Sequence, residues 1–112
     1  MGNLSAKRDF TDVRDIVRAY RLLAEKGVSG RTYNIGRGKA VAVQYILDTA
    51  LSFAKVPIEV KTDPSRMRAS DIPLIEPDVS RISGDTGWKA EISIEKTIED
   101  TLDYWRNKGE IL

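Results

Sequence analysis

Only two short stretches of this chain have the pattern of a β-strand, and two strands do not make a sheet. Residues 31–36, RTYNIG, are β-prone and closed by a glycine, and residues 58–62, IEVKT, alternate apolar and polar side chains. Three or more strands are normally needed before a sheet stands alone. The rest of the chain is helical in pattern or irregular, giving the order helix, strand, helix, strand, loop, helix, helix. Helices on either side of a strand with so few partners would form the outer layers of a sheet supplied mostly by other residues. The chain therefore reads as α/β and as a piece of something larger. Its 112 residues are one domain's length, and no repeat, low-complexity tract or linker divides them.

The helices announce themselves by period and caps. Val13, Ile16, Val17, Tyr20, Leu23 and Ala24 repeat as one apolar face, which predicts a buried stripe. Thr11 or Asp12 can cap its start, and Gly27 stands where a left-handed C-terminal cap belongs. Val43, Ile46, Leu47, Ala50, Leu51 and Ala54 predict a second helix that ends before Pro57. The stretch DPSRMRASDIPLIEP, with three of the four prolines, predicts a structured loop. Asp78 is placed to cap a short helix stopped by Gly87, with Trp88 packing just beyond. Ser93 caps a last helix whose inner face would be Ile94, Ile98, Leu102 and Trp105.

Composition closes off several kinds of chemistry. The chain has no cysteine and no histidine, which excludes disulfides, Cys/His zinc sites and any nucleophile that depends on an imidazole. The missing cysteine fits a reducing cytosol, and a cytoplasmic location is the expectation. Eighteen basic residues nearly balance 17 acidic ones, so bulk charge points to no nucleic-acid partner. No apolar run approaches the ~20 residues of a membrane span. The opening MGNLSAKRDF lacks the apolar core of a secretory signal.

Two places hold residues suited to gripping an anion. Arg8 lies ahead of the first helix, and its guanidinium offers a planar fork of donors matched to phosphate or carboxylate oxygens. The amides and dipole of a following helix N-terminus would assist it. Position alone favours a surface arginine paired with Asp9 or Asp12, because such pairs are common. In the loop DPSRMRASD, Arg68 and Asp71 are three apart, so one turn would set both on one side. Arg68 could then hold a phosphate while Asp71 accepts from sugar hydroxyls, or the two could simply pair and stiffen the loop.

Three other features carry less. GRGK, residues 36–39, lacks the length of a nucleoside-triphosphate loop and the Ser/Thr after its lysine, and reads as the turn into the second helix. Tyr104 and Lys108 have the Tyr-x-x-x-Lys spacing but sit at the end of the chain with no cofactor fold upstream. Glu99, Asp100 and Asp103 read as a solvated helix face rather than an acid/base pair.

Taken in order, GNLSAKRDFTDVRDIVRAY, TYNIGRGKAV, DPSRMRASDIP and DVSRISGDTGWKAEISIEKTIEDTLDYW resemble the C-terminal third of the extended short-chain dehydrogenase/reductases, over about residues 2–106. Within that family the likeness is to the GDP-mannose 4,6-dehydratases and the GDP-4-keto-6-deoxymannose reductases. The resemblance implies an α/β fold made of a late Rossmann strand and helices with a small α/β substrate-binding lobe, and without the N-terminal NAD(P)-binding part. It implies that residues 1–112 form one C-terminal substrate-binding segment. It implies that Arg8, in the RDF motif, and Arg68, in RASD, contact the diphosphate of a GDP-sugar, and that Asp71 meets the ribose or nearby polar groups. Ala69 replaces a proline usual in that motif.

The resemblance also implies a homo-oligomeric parent using NADP or NAD. These 112 residues contain no G-x-x-G-x-x-G and no catalytic triad, so they are expected to bind no cofactor or metal, to hold no catalytic residue and to be inert alone. Sister enzymes on UDP- and dTDP-sugars share the arginines, and a non-catalytic interaction module that keeps the fold is the reading from another class.

Overall fold

In a computed structural model the described residues are 4–61, 63, 65 and 72–108. They form β1 (Lys7–Arg8), α1 (Val13–Lys26), β2 (Val41–Ala42), α2 (Val43–Ser52), α3 (Ser80–Thr86) and α4 (Ile94–Asn107). β1 and β2 pair antiparallel, Lys7 opposite Ala42 and Arg8 opposite Val41. Lys7 also bridges Leu74 in parallel on its other side.

The capping expectations hold at three helix ends, and a fourth is displaced by one residue. Asp12 Oδ1 accepts from Arg14 N at 2.8 Å and starts α1. The N-cap of α3 is Val79, not Asp78, and it has no side-chain cap; Asp78, one residue earlier, accepts from Ser80 N at 2.9 Å, while Gly87, in left-handed backbone, ends the helix. Ser93 Oγ takes Lys96 N at 3.1 Å and starts α4. α2 begins differently. Ala42 has no side-chain group to cap with, and the first amides of the helix are taken by the segment leading into β1: Val43 N donates to Ala6 O and Gln44 N to Leu4 O, both at 2.9 Å.

One core is fully formed. Ala19 of α1, Ile82 of α3 and Trp88 are buried together, with Leu22, Leu23, Tyr33, Ile35, Val79 and Ala90 packed around them. Trp88 is buried as expected, and its indole Nε1 donates to Asp15 O at 3.0 Å. Asp15 is itself buried. Its carboxylate accepts from Glu91 N and Ile92 N, each at 3.0 Å, and from Arg18 Nη2, so it fastens α1 to the chain beyond Trp88.

Several expectations need correction. The face of α1 turned to this core runs through Asp15, Ala19, Leu22 and Leu23. Val13, Val17 and Tyr20 stand 70%, 61% and 61% exposed, and Ala24 is exposed too. α1 is apolar on two sides, its own chain covers one, and period alone does not say which. Gly27 is extended (φ −67°, ψ 153°), not left-handed. A glycine is still required there, because a Cβ would lie 2.5 Å from Leu23 O.

Residues 31–36 and 58–61 form no ladder among the described residues, and Thr62 of the second expected strand lies outside them. The burial pattern is present at 33–35 without the hydrogen bonds: Tyr33 and Ile35 face the core while Asn34 is exposed. α2 ends at Ser52 rather than at Ala54. In α4, Ile94, Ile98 and Leu102 are half-buried against α2, but the stripe continues to Arg106, whose guanidinium donates to Phe53 O, and Trp105 is left to one side, 44% exposed.

The molecule is a slab, 49 × 38 × 18 Å, with a radius of gyration of 16.8 Å. A compact domain of this length would have about 13 Å. Its accessible surface of 7827 Å² likewise exceeds the roughly 6,200 Å² of a closed globule of 12.5 kDa. Among the described residues no helix is long and apolar enough to cross a membrane.

Candidate functional site

Arg8 lies on β1, and β1 is the middle of three segments. β2 pairs with it on one side. On the other, Lys7 N donates to Pro73 O at 2.8 Å and Ile75 N donates to Lys7 O at 3.0 Å. Pro73 serves well there, because a proline can accept in a ladder but not donate. Arg68 and Asp71, like Arg66 and Ala69, lie outside the described residues. What the structure shows is where the chain goes directly after them, alongside the strand that carries Arg8.

Arg8 pairs with neither of its neighbouring carboxylates. Its Nη1 donates to Lys7 O at 2.7 Å, and among the described residues it enters no ion pair. Asp12 and Asp9 are committed elsewhere. Asp12 binds Arg14 through both oxygens and accepts from Thr97 Oγ1 at 2.7 Å. The guanidinium of Arg14 holds its carboxyl well below the usual carboxylate range, more than offsetting the opposing effect of burial, and Thr97 adds to the lowering. The help expected from the α1 N-terminus is therefore already spent: the anion at that helix end is the protein's own Asp12.

Asp9 does something sequence reasoning missed. Its Oδ1 accepts from Thr11 Oγ1 at 2.7 Å and Arg37 N at 3.1 Å, and its Oδ2 from Gly38 N at 2.8 Å. The GRGK turn thus cradles an anion after all, the carboxylate next to Arg8. Gly36 lets it come this close, because a Cβ there would lie 2.9–3.1 Å from the Asp9 carboxylate. The only sequence trace of this arrangement is the spacing Asp9, Asp12, Asp15: three acids at three-residue intervals, each fastening a different segment.

The remaining candidates resolve as ordinary structure. The ammonium of Lys108 lies 5.0 Å from the centroid of the Tyr104 ring, and Tyr104 packs edge-on to Trp105. Glu99, Asp100 and Asp103 have carboxylate oxygens within 4.8 Å of one another. Lys96 reaches Asp100 at 3.0 Å and Glu99 at 3.8 Å, Arg14 reaches Asp100 at 2.9 Å, and Arg106 reaches Asp103 at 3.6 Å. Lys96, with Arg14 second, lowers the Asp100 carboxyl below its ordinary value. This is a charged helix face with its cations in place.

A hollow lined by Thr32, Asn34, Asp78, Ser80 and Arg81 flanks the start of α3. It is braced by Arg81 Nη1 on Thr32 O at 3.0 Å and Asn34 Nδ2 on Asp78 O at 3.4 Å. Next to it, the Tyr33 hydroxyl and then Arg31 lower the Asp85 carboxyl by donating to it.

Known proteins share this fold. A model of the GDP-mannose 4,6 dehydratase family matches residues 1–101. A GDP-6-deoxy-D-mannose reductase of Pseudomonas aeruginosa is 31% identical over 108 residues, which is 96% of this chain and 36% of that protein. The structure of RMD from Pseudomonas aeruginosa complexed with NADPH superposes with a TM-score of 0.88 at 29% identity, over 96% of this chain and 35% of that one. UDP-glucose 4-epimerase from Thermotoga maritima, solved with UDP-glucose, superposes with a TM-score of 0.77 at 28% identity, over 98% of this chain and 35% of that one. The chain thus spans about a third of the length of the relatives it matches, and the extended short-chain dehydrogenase/reductase fold expected from its motifs is the fold of these neighbours.

Proposed function

The chain belongs to the GDP-mannose 4,6-dehydratase family, and from this premise we propose that residues 1–112 are the substrate-binding segment of a GDP-sugar dehydratase or reductase. Arg8 and Arg68 hold the diphosphate, and Asp71 accepts from the ribose or an adjacent hydroxyl. Two guanidinium forks against about two negative charges is a matched pairing, and each bond is charge-assisted. Members of this fold family carry a nicotinamide cofactor, as the NADPH-bound neighbour does. In the proposed enzyme NADP or NAD sits on a portion outside these residues and supplies the hydride chemistry. The residues here bind and orient the nucleotide-sugar and are inert alone.

One observation carries the reading. Residues 73–75, immediately beyond the loop bearing Arg68 and Asp71, hydrogen-bond to β1 at Lys7, next to Arg8. The chain that directly follows the Arg68 segment in sequence thus runs beside the strand that carries Arg8, which supports a shared site for the two arginines. Arg8, free of carboxylate partners among the described residues, is available for an outside anion. The slab shape, the exposed Val13, Val17 and Tyr20, and the unpaired residues 31–36 support the companion proposal that a further portion covers this face.

A chimaera tests this: residues 1–112 joined to the cofactor-binding portion of the Pseudomonas aeruginosa reductase, titrated calorimetrically with GDP-mannose. Arg8→Ala and Arg68→Ala should each cost about 1.5–3 kcal/mol of binding, the worth of a hydrogen bond to a charged group. Unchanged affinity in both removes the diphosphate role. Relatives named for UDP-glucose give a second reading, a UDP-sugar epimerase segment with the same arginines. Tighter binding of UDP-glucose than of GDP-mannose would favour it.

A further inference from the structure

We propose that Glu76 is a positioning residue that locks the segment behind the Arg68 loop to the turn beside Arg8, an inference that rests on the diphosphate reading above. Glu76 Oε2 accepts from Ala40 N at 2.7 Å. Ala40 adjoins β2 and, continuing the register of Arg8 opposite Val41, stands across from Asp9. The turn at residues 37–40 is thereby gripped from two directions. Asp9, one residue past Arg8, holds the amides of Arg37 and Gly38, and Glu76, one residue past Ile75, holds the amide of Ala40.

The backbone bonds of residues 73–75 reach only β1, at Lys7. Two such bonds set a pairing but resist slippage poorly, since short ladders specify register weakly. The Glu76 side chain extends the same segment to the chain entering β2 and adds a third point of attachment, 36 residues away in sequence. A third point fixes register where two leave it loose. A two-residue slip along β1 would carry Glu76 away from Ala40 N and would shift residues 73–75 by about 6.6 Å relative to Arg8. Glu76 is exposed, so its bond adds little to overall stability and acts through placement.

The test uses Glu76→Ala and Glu76→Gln, with Gln retaining an acceptor oxygen. In the chain itself, amide hydrogen exchange should accelerate roughly tenfold at Ala40 in the Ala variant, and with it at Lys7 and Ile75, while the thermal midpoint stays near the original. Glu76→Gln should restore most of the protection. In the chimaera, Glu76→Ala should weaken GDP-mannose binding severalfold and Gln should recover it. Unchanged exchange at Lys7 and Ile75 in the Ala variant overturns the proposal, as does faster exchange with full GDP-mannose affinity. If the unsubstituted chimaera binds no GDP-mannose, the diphosphate reading fails on that result alone, and exchange at Lys7 and Ile75 still decides whether Glu76 sets the register.

Discussion

The two halves of this slab are held by different means. Around α1, α3 and Trp88 there is a core in the full sense: Ala19, Ile82 and Trp88 are buried, and the buried carboxylates of Asp12 and Asp15 have donors on every side. Among the described residues no buried polar side-chain atom lacks a partner. Around α2 and α4 no residue is fully buried. Those helices lie along each other through half-buried Ile46, Leu47, Leu51, Ile98 and Leu102. They are tied at their edges by the Tyr45 hydroxyl on Glu95 and by Arg106 on Phe53 O. The lesson is that one half has a fully buried core and the other has none, although both halves have equally regular helices.

The largest expected effect is on the half with the buried core. Trp88→Ala should cost about 3–5 kcal/mol, a large part of the ~5–15 kcal/mol that holds an ordinary domain together. Leu47→Ala on α2 should cost well under half as much in the same urea titration. Equal losses would break the comparison.

Acid should act next, and through the same half. The Asp12 carboxyl is lowered in the folded state by Arg14 and Thr97. A depressed folded value means that its stabilisation is fully present above the ordinary carboxylate pKa of about 3.9 and is lost as pH falls below it. Unfolding free energies measured from pH 6 down should decline below about pH 4, and Asp12→Asn should flatten that decline.

The smallest effect belongs to the open half. Tyr45 lowers the Glu95 carboxyl and is itself raised by it, but both groups face solvent and are screened. Tyr45→Phe should shift the melting temperature less than either substitution above. A shift rivalling that of Trp88→Ala would mean that this edge contact holds α2 to α4 by itself.

Legibility in the sequence followed range. Asp12, Gly87 and Ser93 declared the helix ends because a cap acts within three or four residues of itself. The burial of Trp88 was readable from its place after a helix stop. β1 and β2 were not, because a two-residue strand has no period and its paired residues lie 33 and 35 positions away. Arg8 stood out as chemistry only through family resemblance, since its position allowed a plain ion pair as well. The contacts of Asp9 with the amides of Arg37 and Gly38, and of Glu76 with Ala40, leave no local mark, because the partners are backbone groups that any residue possesses.

By itself, then, the order of side chains determined which segments are helical and the caps at Asp12, Gly87 and Ser93. These follow from interactions between near neighbours. Only the tertiary structure decided which stripe of α1 is inside, which carboxylates spend their charge on the protein's own amides, and that the chain leaving the Arg68 loop returns beside Arg8. Each of those depends on which distant surface removes a group from water, and apolar or charged character alone does not encode that choice.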